Sequence, residues 1–250
     1  ILLILPWYIL LLVRPLDLSS GDLGRHLKNG ELITKAFISG ELMPEIFNTN
    51  FYSYAFPNFP FVNHHWGSGV IFYTLWSGVG PIGFQIFMYS LSILTLFTFF
   101  TLAYKKSNLL IASSAGFFLI PLIAERRDLR PELFSYLFLG LFLFILFTYK
   151  DNPQYKKLPY LLPFIFLIWI NTHIFFILGI FVLGLFFLDA LIARPRQTAY
   201  IKNLGIVIFL CLIAGFITPN GAKTFLYPLT IFQNFGIEVQ ETLSVAEAGP

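Results

Sequence analysis

The stretch that decides the fold covers residues 158–193: LPYLLPFIFLIWINTHIFFILGIFVLGLFFLDALIA. One helix of that length, rising about 1.5 Å per residue, would far outrun a hydrocarbon core of about 30 Å. A single polar interruption, Asn171-Thr172-His173, divides the run. Backbone and side-chain polar groups at membrane depth have no water to satisfy them, so the interruption belongs at a turn. The stretch predicts a hairpin of two spans, 158–171 and 174–193, and with it an all-α integral membrane protein.

Further apolar runs lie outward from this hairpin, at about 1–13, 81–104, 108–124, 131–149 and 203–218. Together they predict a polytopic helical bundle of seven spans, forming one transmembrane domain over 1–250. The chain is 57% hydrophobic and 12% charged, with a mean hydropathy of +0.75. A typical soluble domain carries about 25% charge, so this polar coat is too thin for one water-facing globule. The run 1–13 is short for a span and reads as the end of one, and the chain is expected to be the N-terminal part of a longer protein. The apolar core of a signal peptide is the alternative, disfavoured because no small-residue cleavage site follows Val13. Cys211 is the only cysteine and excludes a disulfide framework within the chain.

Orientation follows from the basic residues of the short loops. Lys105, Lys106, Lys150, Lys156, Lys157, Arg194, Arg196 and Lys202 fall on one side, with Asp151 and Asp189 as the nearby acids. That side is predicted to be cytoplasmic, in a multi-pass protein of the cytoplasmic (inner) membrane. Residues 67–78 are apolar but too short to span, and a crossing there would turn every later basic loop outward. They are predicted to form an interfacial helix, with Trp66, Tyr73 and Trp76 at headgroup depth.

The long polar loop 14–66 is then extracytoplasmic. Ser19-Ser20-Gly21-Asp22 offers helix N-cap chemistry. Leu23, Leu27, Gly30, Ile33 and Phe37 recur at helical spacing, predicting an amphipathic helix on the membrane surface. Asp22, His26 and Asn29 share one stripe of that helix. Carboxylates are favoured at a helix N-terminus, which suits Asp22 to the role of a base.

Several groups carry potential chemistry, each beside a plainer reading. Asp17 and Asp22 are candidate general bases, or solvated loop acids. Arg126, Arg127 and Arg130 stand on the side that positive-inside logic leaves poor in arginine. They suit a phosphate or pyrophosphate, or pair internally with Glu125, Asp128 and Glu132. His26, His64 and His65 suit a hydrogen-bonded polar cluster better than a metal, since adjacent histidines point apart on most backbones. No HExxH or Cys/His ligand spacing is present. Asn171 and His173 read as a polar turn or as cavity lining. Thr218-Pro219-Asn220-Gly221 reads as a turn. The chain shows no phosphate-binding glycine loop and no RNA-binding signature, so nucleic acid is not an expected partner.

The order of these features resembles the GT-C membrane glycosyltransferases, and among them the bacterial relatives of protein O-mannosyltransferases and of the lipid A aminoarabinose transferase. The likeness rests on Asp22-Leu23-Gly24-Arg25-His26 with Asn29-Gly30-Glu31 in the first loop, and on Asn63-His64-His65-Trp66 before the interfacial helix. Arg130-Pro131, Asn171-x-His173 and Pro219-Asn220-Gly221 complete it. The resemblance implies inverting transfer of a sugar from a polyprenyl-phosphate donor to an acceptor hydroxyl on the extracytoplasmic face. By position, Asp22 would be the base, with Asp17 second, and Arg126, Arg127 or Arg130 would hold the donor phosphate. His26, His64, His65, Asn171 and His173 would line the acceptor side. The implied partners are the lipid-linked sugar and the bilayer. No cofactor is expected, although a divalent metal stays open. The chain departs from the family pattern where Leu23, not an acid, follows Asp22, and where His65, not an acid, precedes Trp66. The competing expectations are a transporter or lipid flippase, and a scaffold subunit.

Overall fold

The computed structural model describes residues 4–13, 22–41, 45–49, 54–124, 129–193 and 198–230. Among these the fold is all-helical, apart from an isolated bridge between Thr49 and Pro60. In chain order the helices are α1 (Ile4–Leu12), α2 (Leu23–Ser39), α3 (Glu45–Asn48), α4 (Trp66–Lys106), α5 (Leu109–Ala124), α6 (Glu132–Asp151), α7 (Leu162–Thr172), α8 (Phe176–Ile192), α9 (Thr198–Ala214) and α10 (Ala222–Leu226). Single 3-10 turns at Leu158–Leu161 and Tyr227–Leu229 precede α7 and follow α10.

Among the described residues two helices, α4 and α6, are long and apolar enough to cross a membrane. The helices at the other expected spans are shorter. α7 ends at Thr172 because His173 is fully extended (φ −160°, ψ 146°), so the chain turns at the polar interruption and re-enters helix at Phe176. The last expected span, 203–218, instead forms helix from Thr198 to Ala214 and then a turn.

α4 consists of two legs joined at Gly80, whose backbone takes φ 73° and ψ 178°. Pro81 disfavours the helical conformation for the residue before it, and only glycine adopts this alternative without a steric penalty. The bend falls between the interfacial segment expected over 67–78 and the span expected over 81–104. The second leg, 81–106, is about 39 Å long at 1.5 Å per residue.

The main core is built where α4, α6, α7, α8 and α9 meet. α6 presents Phe134, Phe138, Phe142, Ile145 and Tyr149 at three- and four-residue intervals, and these pack with Phe84, Phe166, Trp169, Phe176, Leu183 and Leu204. Ile4 and Tyr8 of α1 pack with α5 and Phe100 in a separate cluster. Outward-facing Leu110, Phe118, Phe181, Ile192 and Phe209 stay exposed, an apolar surface more extensive than a water-soluble monomer ordinarily shows.

The two ends of the bundle carry different polar groups. At one end Lys106 bonds Asp151 at 2.5 Å, Lys150 bonds Asp189 at 2.7 Å, and Asn203 donates to the Tyr149 hydroxyl at 2.8 Å. Lys105 and Lys106 also lie over the rings of Phe144 and Phe147, at 4.6 and 4.8 Å. The opposite end gathers the N-termini of α4, α6 and α8, the C-termini of α7 and α9, and all of α2, and it carries the chemistry-bearing side chains.

Candidate functional site

Two backbone-to-backbone contacts set the geometry of that end. A Cβ placed on Gly30 would lie 1.9 Å from the Gly69 carbonyl oxygen, so α2 is pressed directly onto the first leg of α4. One on Gly67 would lie 2.5 Å from the Asn171 carbonyl oxygen, which brings α4 equally close to the end of α7. α2 is therefore packed on the protein along its Leu23, Ile33 and Ala36 face, with Phe37 and Ile38 exposed.

This packing collects all four histidines of the chain. The His26 and His65 ring centroids are 5.1 Å apart, those of His64 and His65 3.7 Å, and those of His65 and His173 5.2 Å. The two adjacent histidines do not point apart as expected. They occupy a turn ahead of α4, with His65 at φ −104°, ψ 10°, and the alternation that separates neighbours belongs to extended backbone.

All four imidazoles are held neutral. Burial is the first cause in each case, because a low-dielectric site disfavours the cation. The His26 pKa falls to about 3, helped by the charges of Arg25, His64 and Arg130 and opposed by Asp22. His64 falls to about 4 through burial, against the raising effect of the Val62 carbonyl, with Arg25 lowering it further. His65 lies well below its usual value through burial, its three histidine neighbours and Arg25. His173 falls to about 3 through burial, then His64 and His26.

Hydrogen bonds fix two tautomers. Trp169 donates its indole N–H to Ser135 Oγ at 2.7 Å, and Ser135 Oγ lies 2.7 Å from His173 Nδ1. The Phe175 backbone N–H also donates to His173 Nδ1, at 3.4 Å, so that nitrogen is an acceptor, the Ser135 hydroxyl donates to it, and the imidazole proton sits on Nε2. His64 Nδ1 lies 3.0 Å from the Val62 carbonyl and therefore carries the proton there. Among the described residues, the Nδ1 atoms of His26 and His65 are buried without a partner, as is Arg25 Nε.

Asp22 stands at the edge of this cluster. It precedes α2, makes no side-chain capping bond, and is half exposed in an ion pair with Arg25 at 3.2 Å. On the stripe predicted to hold Asp22, His26 and Asn29, the latter two are buried and the acid is half exposed. Arg130 is half-buried and its charge acts on His26. Asp17, Arg126 and Arg127 lie outside the described residues.

Asn171 is a strut. Its Oδ1 accepts from Trp66 Nε1 at 2.8 Å, and its Nδ2 donates to the carbonyls of Leu167 and Ile217 at 2.8 and 3.0 Å. Both amide donors are thereby used. Asn63 Nδ2 donates to the Ile46 carbonyl and Asn220 Nδ2 to the Phe47 carbonyl, tying α3 and the Pro219-Asn220-Gly221 turn to the same end.

Beside the histidines opens a cleft of about 630 Å³, between residues 59–62 and the segment from Asn220 to Thr230. Tyr227, on its wall, has its ring 5.0 Å from that of His64.

Arg25, Ser135, Trp169, Lys223 and Tyr227 also belong to this end, and the last four stand in no motif that singles them out. Arg25 sits inside the quoted Asp22–His26 segment and was open to notice. The Ser135–His173 and Tyr227–His64 contacts join distant parts of the chain and have no local signal. Among the described residues no group of three or more His, Cys, Asp or Glu is arranged to hold a metal ion. No protein family, no curated protein and no solved structure matches this chain.

Proposed function

We propose that the protein is a polytopic membrane glycosyltransferase that moves a sugar from a polyprenyl-phosphate donor to an acceptor hydroxyl, with the histidine-bearing end facing away from the cytoplasm. One observation carries the reading. Asp22, Arg25, Arg130 and four neutral imidazoles gather at the bundle end opposite the lysine-rich loops, beside a ligand-sized cleft. That polarity fits a cytoplasmic position for the lysines.

In this mechanism the acceptor hydroxyl attacks the anomeric carbon while the Asp22 carboxylate takes its proton. The bond from that carbon to the phosphate oxygen breaks, and the leaving phosphate takes the electron pair. Arg130, with Arg126 and Arg127 from the same connection, would stabilise the phosphate charge. Displacement from the opposite face inverts the anomeric centre. The neutral histidines offer donors and acceptors to sugar hydroxyls without adding charge that would compete with the arginines.

The competing transporter reading expects ionisable groups at mid-membrane. Among the described residues of α4 to α9, charged side chains occur only near helix ends: Lys105, Lys106, Glu132, Lys150, Asp151, Asp189 and Lys202. This favours chemistry at the rim over passage through the bundle.

The test incubates membranes containing the protein with labelled polyprenyl-phosphate sugars and follows label into acceptor. Asp22→Asn should abolish transfer while expression and insertion stay unchanged. Full transfer by that variant would remove Asp22 from the mechanism.

A further inference from the structure

We propose that the cleft beside the histidine cluster is the acceptor site and takes an anionic saccharide, its acid group on Lys223 and its ring faces against Phe59, Phe61 and Tyr227. The assignment rests on the transferase reading and names the acceptor class for it.

Size comes first. A cleft of about 630 Å³ lies within the range of small-molecule sites, about 300–1,000 Å³. Its walls are flat and aromatic, formed by Phe59, Phe61 and Tyr227, and such faces suit the C–H faces of a sugar ring. Asn48, Asn220 and Thr230 add amide and hydroxyl groups, which match a ligand rich in hydroxyls. Asn220 Nδ2 gives one hydrogen to the Phe47 carbonyl, which leaves its second N–H to donate and its Oδ1 to accept. A lipid chain would gain nothing from these amides.

Charge comes second. Lys223 is the only Lys, Arg, Asp or Glu among the lining residues, and it is exposed with no ion pair among the described residues. Among the described residues of the wall there is no carboxylate to repel an anion. Behind the wall, the Arg25 guanidinium acts on the Tyr227 phenol, adding positive potential from the same side. Position comes third. Tyr227 touches His64, and His64 touches His65, so a ring seated in the cleft abuts the cluster that Asp22 and Arg25 border.

The experiment measures binding to the full chain in nanodiscs by saturation-transfer NMR and titration calorimetry. The probes are a glucuronate-terminated trisaccharide, its carboxyl-reduced form and inorganic phosphate. The acidic trisaccharide should bind, with the reduced form and Lys223→Met each about tenfold or more weaker, the loss of one charge-assisted contact. Lys223→Arg should keep the affinity, and Tyr227→Leu should weaken the acidic and reduced forms alike. Equal affinity for the acidic and reduced forms, unchanged binding by Lys223→Met, or equal competition by inorganic phosphate would each overturn the proposal. Binding is read without transfer, so Asp22→Asn should retain it. Absent binding with Asp22-dependent transfer intact sinks the cleft assignment alone, whereas binding without transfer in the unaltered protein sinks the transferase reading.

Discussion

Gly30→Ala is the sharpest probe of the packing that builds the site. Alanine normally stabilises a helix interior relative to glycine by up to about 1 kcal/mol. Here the added methyl would stand 1.9 Å from the Gly69 carbonyl oxygen and 2.8 Å from Tyr73 Cβ. Ordinary contact begins near 3.4 Å, so α2 must lift from α4 by about 1.5 Å (3.4 − 1.9). Overpacking of this kind costs about 1–3 kcal/mol or more, and both obstacles belong to the backbone or its first side-chain atom, which cannot rotate away. The expected net loss is about 2 kcal/mol, or a melting temperature lower by about 4–8 °C for a chain of this size. Gly24→Ala is the control: it lies in the same helix, and nothing stands within 4 Å of its added methyl. It should melt at or slightly above the unaltered protein. The assay is thermal unfolding in detergent followed by tryptophan fluorescence, with both variants side by side. If Gly30→Ala melts as high as Gly24→Ala, the close crossing of α2 and α4 is refuted.

The histidines make stability depend on pH. His26 and His173 titrate near 3 and His64 near 4 in the folded protein, against about 6.5 for the unfolded chain. On acidification the unfolded chain therefore takes up protons first. Stability is complete above about pH 6.5 and falls as the pH drops towards 4, by about 1.4 kcal/mol per pH unit for each such histidine. Melting temperatures measured from pH 7.5 to 4.5 should decline steeply below 6.5, and a flat profile would contradict the buried cluster. Ser135→Ala removes the hydroxyl shared by Trp169 and His173, leaving the buried Trp169 indole N–H without its acceptor at a cost of about 1–3 kcal/mol. It should melt lower than Ser135→Thr, which keeps the hydroxyl, and the two variants melting together would argue against the relay.

Much of the fold was legible locally because apolar run length and polar punctuation act over neighbouring residues. The interruption at Asn171-Thr172-His173 marks the end of α7, and Gly80-Pro81 marks the bend in α4. Helix lengths were less legible. The run at 158–171 opens with a 3-10 turn around Pro159 and keeps α7 to Leu162–Thr172. The predicted amphipathic helix starts at Leu23, but its packing on α4 was not legible, because it depends on Gly30 and Gly69 letting two distant backbones touch.

The site divides in the same way. By composition and spacing the sequence alone determined an apolar, helix-rich chain with basic loops between its later apolar runs, and with Asp22, His26 and Asn29 on one helical stripe. Those properties depend only on residue type and helical period. Tertiary structure decided that His26, His64, His65 and His173 share one buried cluster, that Asn171 serves as a strut, and that Tyr227 joins the cleft to His64. Each of these joins segments far apart in the chain, and such contacts are fixed by how helix faces pack, which no local pattern records.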